Sequence, residues 1–563
     1  MRRFNFFAGL ALAIPGMLSA QNTLDVQGVT YQVDTTFHAK VGPGTTQTSL
    51  KLTNTLDATV YPLVVHYVTI DRTAPNVSIR ALKSGNKIAS MSKTSTMAEN
   101  ASKNGLNYFC GVNADFFTVY SSSDSKSMRG ESFVGRPSYS CVVDGKVVKT
   151  SNGGQQFIVD TKGEPYIFRA YWYAGKATSG SKTTSFRGMD LGSPDNALTV
   201  YSPAYVSGTN VAAKDNKMVC EVTAKAVAGT NPMSATEPFK LEVTGTPSTA
   251  GDMTIPSDGY VISSRYKTSK KTQSGFNTAA TDFVQGLKVG DIVEFTAVCR
   301  NGSASGATVI PQTIVSGNPK CLGNGQTLET LAERTDAKDR HPRTSIGYSK
   351  DKKNIIMMVI EGRRAGISVG VSTKMEADIM RYAGASEAMN LDGGGSSTLY
   401  TQSLGIRNHC TDAAGERAVT NAVYAVLDAP EDNVVAEISF ADWRKDLNKN
   451  DTYVPVIYAF NKHGLMINKD FKGFTLSCEG GTVSADGKEF KALKDGVFGL
   501  KATYNGITTA IPVKIGTGAA VEGIEADVAD ANQKWYDLQG NPVNDITVPG
   551  VYVSSTGKKI IVK

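Results

Sequence analysis

A chain of 563 residues is too long for one hydrophobic core and leaves room for three or four domains at the usual ~100–200 residues each. With 40% hydrophobic residues, 20% charged residues and 55 glycines, the composition is that of a folded, turn-rich protein leaning toward β structure, which excludes a wholly disordered chain. The net charge of +7 is spread along the sequence without a dense basic run, so neither a nucleic-acid partner nor an electrostatic membrane footprint is expected.

Arg2 and Arg3 precede an apolar run from Phe6 to Leu18, and Leu18-Ser19-Ala20 closes it ahead of Gln21. That is the layout of a signal peptide over residues 1–20, cleaved after Ala20. The run is too short to cross a bilayer as a helix, and no other stretch nears the ~20 apolar residues a transmembrane span needs. A periplasmic or extracellular protein is expected. The seven cysteines show no CxxC spacing and the five histidines no HExxH pattern, so no zinc site is expected, while one to three disulfides would suit an exported chain.

Residues 22–90 alternate apolar and polar side chains, as in Tyr61 to Ile70, and read as strands. Thr96-x-x-Glu99 predicts the capped start of a short helix that stops at Asn104-Gly105. A strand from Tyr108 to Val112 then delivers Asn113 and Asp115, polar residues at a strand end. From Tyr139 to about Val315 short strand candidates alternate with Gly, Ser and Asn; residues 228–280, rich in Thr, Ser, Pro and Gly, read as an insertion or long loops. The block His341 to Tyr348, with Arg343, is followed by the strand Asn354 to Ile360, which ends in Glu361-Gly362-Arg363. Thr373-x-x-Glu376 predicts a helix with Met375, Ile379 and Ala383 along one face and Gly384 at its stop. That helix feeds a second strand ending in Asn390-Leu391-Asp392. If the two strands are parallel neighbours around a crossover, Glu361 and Asp392 leave one edge of the sheet together.

Beyond Asp392 stand Gly393, Gly394 and Gly395, then the hydroxyls of Ser396, Ser397 and Thr398. Successive glycines allow positive φ and let backbone N–H groups close on an anion, although glycine clusters also mark plain hairpin turns. Gly366-Ile367-Ser368-Val369-Gly370 has the letters of a nucleophile elbow, but the elbow needs its helix to start at the serine and here the helix signal starts near Thr373. Asp446-x-Asn448-x-Asn450 lacks the glycine and the closing carboxylate of a calcium loop and reads as a turn. After Asp428 to Asp432, a linker, residues 433–515 carry about seven short strands similar to a bacterial immunoglobulin-like sandwich. Residues 534–563 are similar to the short β tails of exported Bacteroidetes proteins.

The blocks Gly111 to Phe117, His341 to Gly347, Glu361 to Arg363, Asn390 to Thr398 and Glu416 to Ala422 together resemble, in order, those of the phosphodiester glycosidase family. The resemblance spans roughly residues 60–428. It implies an α+β, mixed-sheet catalytic domain over 21–428, followed by the all-β module and tail. The implied reaction is hydrolysis of the bond from a sugar's anomeric carbon to a phosphodiester oxygen. Asp392 and Glu361 are the candidate catalytic carboxylates, and Arg343 with the Gly393–Ser397 turn is assigned to phosphate. Asn113 and Asp115 would bind sugar hydroxyls, Arg363, Asn390 and Thr398 would complete the binding surface, and Arg417 and Asn421 would brace it. No cofactor is required; calcium could be held by oxygens such as those of Asp115 and Asp392, although no spacing demands it. The expected partner is a glycan or sugar phosphodiester, with cell-surface association possible through the C-terminal modules. A secreted glycan binder without turnover is the alternative reading, and the pair of carboxylates favours the enzyme.

Overall fold

The structure is a computed structural model that describes residues 23–516, apart from short gaps at 86, 123–124, 192–195, 213–216, 268–277 and 329–337, and four short strands between 535 and 562. The expected signal peptide, residues 1–20, lies outside the described residues. The chain divides into two units: residues 1–443 with 455–473 and 503–509, and the remainder.

In the larger unit a nine-stranded sheet is built from β1 (Thr23–Val26), β2 (Val29–Gly42), β3 (Thr45–Asn54), β4 (Leu63–Asp71), and, much later in the chain, β7 (Lys320–Gly323), β8 (Gln326–Thr327), β9 (Arg343–Tyr348), β10 (Asn354–Ile360) and β11 (Glu387–Asn390). Its order is β1-β2-β3-β4-β10-β9-β11-β7-β8. A second sheet joins β5 (Val77–Lys83), β6 (Leu106–Asn113), β12 (Leu399–Thr401), β13 (Gly405–Ile406) and β14 (Asn421–Asp428) in the order β13-β12-β6-β14-β5. Every ladder in both sheets is antiparallel.

The two sheets pack face to face. In β10 the unbroken apolar run sorts by the two-residue period of a strand: Ile355, Met357 and Val359 face the second sheet's Val112, Val423 and Ala425, whereas Ile356, Met358 and Ile360 join Met375, Ile379 and Met380 of the helix Thr373–Tyr382. A shorter helix, Thr94–Ala101, packs Met97 and Ala98 on Tyr108, Ala422 and Tyr424 on the far side of the second sheet.

The expected mixed-sheet α+β domain is therefore corrected to a mostly β one: among the described residues the protein has 48% strand, 7% helix and three α-helices. The parallel crossover fails for a definite reason. β9 lies between β10 and β11 and pairs antiparallel with both, so the two outer strands run the same way without touching. The helix caps also differ. The first helix begins at Thr94, ahead of Thr96, and in the third Ser372 accepts the Met375 N–H at 3.4 Å while Glu376 turns inward.

Residues 228–280 are not loops alone. They contribute Phe239–Val243 and Tyr260–Lys267 to a closed seven-stranded barrel spanning Gly175–Ser179 to Ile292–Thr296, filled by Phe186, Phe239, Phe295, Leu241 and Ile262. Within 433–515, Glu437–Phe440, Ile457–Phe460 and Met466–Asn468 form a three-stranded sheet of the larger unit. Lys445–Leu447, Thr475–Ser477 and Phe490–Ala492 belong to the smaller one, with Phe474, Leu476 and Phe490 buried in it. The expected immunoglobulin-like stretch is thus shared between the units. Trp535–Tyr536, Pro542–Val543, Gly550–Ser554 and Lys559–Val562 pair as a four-stranded sheet. All seven cysteines are free thiols, and no described helix is long and apolar enough to cross a membrane.

Candidate active site

Between Asp392 and Thr398 the chain leaves the first sheet at the end of β11 and enters the second as β12. Asn113, at the end of β6, ties this bridge down. Its amide donates to the Asp392 carbonyl at 2.7 Å, and its Oδ1 accepts from Thr344 Oγ1 at 2.9 Å and from the Thr398 N–H at 3.0 Å. With side-chain donor and acceptor both engaged in a fully buried position, Asn113 is a brace between sheets. Gly394 has a φ of +64° and Gly394–Ser396 form one 3₁₀ turn. Gly394, Ser396 and Ser397 donate their N–H groups to the carbonyls of Pro342, Gly393 and Gly394 at 2.9, 3.2 and 3.3 Å. The open anion cradle expected of three glycines is thereby largely closed on itself.

What this turn presents is the Asp392 carboxyl. Burial pushes its pKa up to about 6, against the opposing pull of the Ser396 hydroxyl, the Arg417 charge and the Gly393 N–H. Arg417 grips Asp412 with two bonds, Nε to Oδ2 at 2.7 Å and Nη2 to Oδ1 at 2.9 Å, and extends Nη1 to within 3.4 Å of Ser396 Oγ. Gly395 makes room for that pair: a Cβ there would stand 2.1 Å from Asp412 Oδ1 and 2.2 Å from Arg417 Nη2. Arg363, with a φ of +60°, holds its guanidinium 3.1 Å from where a Gly394 Cβ would be. It is exposed and makes no hydrogen bond or ion pair with any described residue.

Glu361 leaves the same edge as Asp392, on the other side of β9: Arg343 lies opposite Ile360, and Ser345 opposite Asn390. Its surroundings differ. Oε1 lies 3.1 Å from His66 Nε2 and accepts the His409 N–H at 2.7 Å, and Oε2 accepts from Arg364 at 2.8 Å. Burial would raise this carboxyl, but the bonds from His66, His409 and Arg364 hold it down at about 2.

The remaining expected site residues lie deeper. Arg343 is buried and donates Nε to the Val371 carbonyl at 3.1 Å and Nη2 to that of Asp339 at 2.9 Å. Asp115 accepts the Ser316 N–H at 2.7 Å, and burial raises its carboxyl to about 7. Asn421 accepts the Asp115 N–H at 2.9 Å, and Asn390 donates to the Asn318 carbonyl at 2.8 Å. Ser397 and Thr398 are buried within the bridge, where Asn408 Nδ2 donates to the Ser397 carbonyl at 3.0 Å. The structure thus brings together Asp392, Ser396, Arg417 and Arg363 around Gly393–Gly395, adds Glu361 along the edge, and uses Asn113, Asp115, Arg343, Asn390 and Asn421 as internal supports. Asp412, His66, Arg364 and His409 escaped the sequence reading; the Asp412-to-Arg417 spacing inside a Gly-containing turn was the one local signal. Among the described residues no group of three or more His, Cys, Asp or Glu converges as a metal site.

Residues 219–426 match the sequence model of phosphodiester glycosidases. This segment belongs to the phosphodiester glycosidase family. The family segment carries Arg343, Glu361, Arg363, Asp392 and Arg417, whereas Asn113 and Asp115 come from β6 and the turn after it, ahead of the match. No curated protein matches the chain. Among solved structures, a hypothetical protein from Synechocystis is similar at 18% identity and a TM-score of 0.48, over 68% of this chain and 62% of that one. A Burkholderia pseudomallei K96243 protein designated as exported is similar at 17% identity and 0.49, over 71% and 98%. The catalytic domain of zebrafish N-acetylglucosamine-1-phosphodiester alpha-N-acetylglucosaminidase, auto-inhibited by its pro-peptide, is similar at 12% identity and 0.33, over 71% and 88%.

Proposed function

We propose that this protein hydrolyses the bond between a sugar's anomeric carbon and a phosphodiester oxygen, in exported or extracellular glycans. The observation that carries the reading is Asp392: a carboxyl raised to about 6, beside an anchored Arg417 and an exposed Arg363 that has no hydrogen bond or ion pair among the described residues, at the glycine turn of the family segment. Above that pKa Asp392 is ionised and takes a proton from water as the water oxygen bonds to the anomeric carbon. The bond to the phosphodiester oxygen breaks, and its electron pair stays on that oxygen, giving a phosphate monoester. A phosphate leaves as an anion with little need of protonation, so cationic donors can replace the general acid of an ordinary glycosidase. Arg363 suits that task by charge and planar donor geometry. Glu361, ionised and bound by three donors, is the positioning residue that fixes the His409 and Arg364 segments beside the site.

The test is incubation of the protein with sugar phosphodiesters and matched simple glycosides, following sugar and phosphate monoester by NMR. Release from the phosphodiesters alone supports the reading. Binding without release would make the protein a glycan binder instead.

A further inference from the structure

Apart from the two sheets that carry the site, a small sheet of Ala170–Tyr171, Cys299–Asn301 and Thr308–Val309 stands against the barrel. Ala170, Cys299 and Val309 belong to the apolar cluster that fills the barrel, so the residues alternating with them turn away from it. Tyr171 pairs with Arg300, and Arg300 with Thr308, which makes these three a row across the outer face. Two residues on, Tyr173 is 37% exposed, with its ring centre 5.5 Å from that of Tyr171 and the two rings at 64°. The Arg187 guanidinium, from the barrel strand Lys182–Met189, stands 4.9 Å from the Tyr173 ring centre. Exposed Lys176 lies opposite Ser185, two residues ahead of Arg187.

The cations of this face are not neutralised by the fold. Arg187 makes no hydrogen bond or ion pair with any described residue, and its Nε is shielded from water without a partner. Arg300 uses only Nη1, on the Ala304 carbonyl. Glu294, which the barrel ladder sets opposite Thr178, is already engaged by Lys240 at 3.2 Å. Single surface arginines are ordinarily solvated and need no ligand. Here the guanidinium is held against a ring, so less side-chain freedom is lost when it binds, and its planar fork can give a carboxylate two parallel bonds. The tyrosine beside it offers a surface on which a sugar ring packs its C–H face. An acidic glycan brings both partners at once, a carboxylate and an apolar sugar face on each residue. A phosphate polymer brings the charge alone.

We infer that the face formed by Tyr171, Tyr173, Arg187 and Arg300 binds an acidic polysaccharide of the uronic acid type, independently of the proposed reaction. The test is calorimetry on the full chain in dilute salt with three probes: an oligogalacturonate, a galactose oligomer of the same length, and polyphosphate. The oligogalacturonate is expected to bind about tenfold or more tighter than the neutral oligomer. Tyr173→Ala and Arg187→Gln should each weaken it about tenfold with Tm nearly unchanged, since both groups lie at the surface. Should Tyr173→Ala lower Tm, Arg187→Gln decides. Asp392→Asn should leave this binding as it is. The face is overturned if the oligogalacturonate does not bind, if the neutral oligomer binds equally well, or if the variants change nothing. It is equally overturned if Asp392→Asn abolishes binding, which would place the acid sugar at the catalytic edge, or if polyphosphate binds as tightly and ignores Tyr173→Ala, which would make this a general anion surface. Sugar release from phosphodiesters is measured separately, so either reading can fail without the other.

Discussion

Asp392 and Glu361 are both carboxylic acids at the ends of β strands, yet their surroundings set their pKa values at about 6 and about 2. The difference decides which can exchange a proton near neutrality. With Asp392 as the base, kcat/KM rises with pH through about 6 and levels off above it. Asp392→Asn should lower kcat by ~10²–10⁴-fold, the range for loss of one acid–base group, and erase that limb while substrate binding persists in calorimetry. Glu361→Gln should lower the rate yet leave the limb at the same pH, because Glu361 is ionised across the whole range; a displaced limb would return Glu361 to proton transfer. The positions of both carboxyls were legible as polar residues following apolar strands. Their charge states were not, since His66 stands 295 residues from Glu361 in sequence and 3.1 Å away in the fold.

The Gly393–Ser396 turn works as one element, and two of its glycines are there for different neighbours. A Cβ on Gly393 would lie 2.7 Å from the Pro342 carbonyl oxygen, a backbone atom that cannot move without disturbing the entry to β9. A Cβ on Gly395 would meet the tips of Asp412 and Arg417, which are half-exposed side chains able to swing away. Gly393→Ala should therefore cost stability, lowering Tm by several degrees, whereas Gly395→Ala should keep Tm within a degree or two and lower kcat/KM ~10–100-fold by displacing Arg417. Thermal unfolding and steady-state kinetics on the two variants check the contrast; equal Tm losses would refute it. The strand ends and the third helix could be read from local pattern because apolar periodicity and turn residues act over a few positions. The antiparallel strand between β10 and β11 could not, because strand order is a matter of long-range pairing. Nor could the barrel: Phe239–Val243 and Tyr260–Lys267 sit among Thr-, Ser- and Gly-rich turns that dilute the strand signal.

Across the whole molecule, burial has left several carboxyls easier to protonate in the folded protein than in the unfolded chain. Asp190, held by Ser202, and Glu376, beneath β9, are each raised to about 7, and Asp392 to about 6. A raised pKa means that the folded state binds more protons than the unfolded chain between about pH 4 and pH 7, so its contribution to stability is complete below the unfolded value and is lost as pH rises through the folded one. Glu361 acts in the opposite sense, but its pKa of about 2 against an ordinary 4.5 makes its gain complete above about pH 5. Lys149 and Lys83, lowered mainly by burial to about 7 and about 8, restore stability only as the pH climbs beyond neutrality. Between about pH 5 and pH 7.5 the raised carboxyls therefore set the slope, and Tm is expected to be higher at the acid end. Glu376 alone represents a shift from 4.5 to about 7, on the order of 3 kcal/mol. Glu376→Gln keeps an acceptor for the Ser345 hydroxyl and removes the titration, so it should flatten the dependence and raise Tm mainly at the upper pH. Thermal unfolding of both proteins across that interval is the measurement; a wild-type Tm that climbs steadily from pH 5 to pH 7.5 would mean that these buried carboxyls stay ionised in the fold.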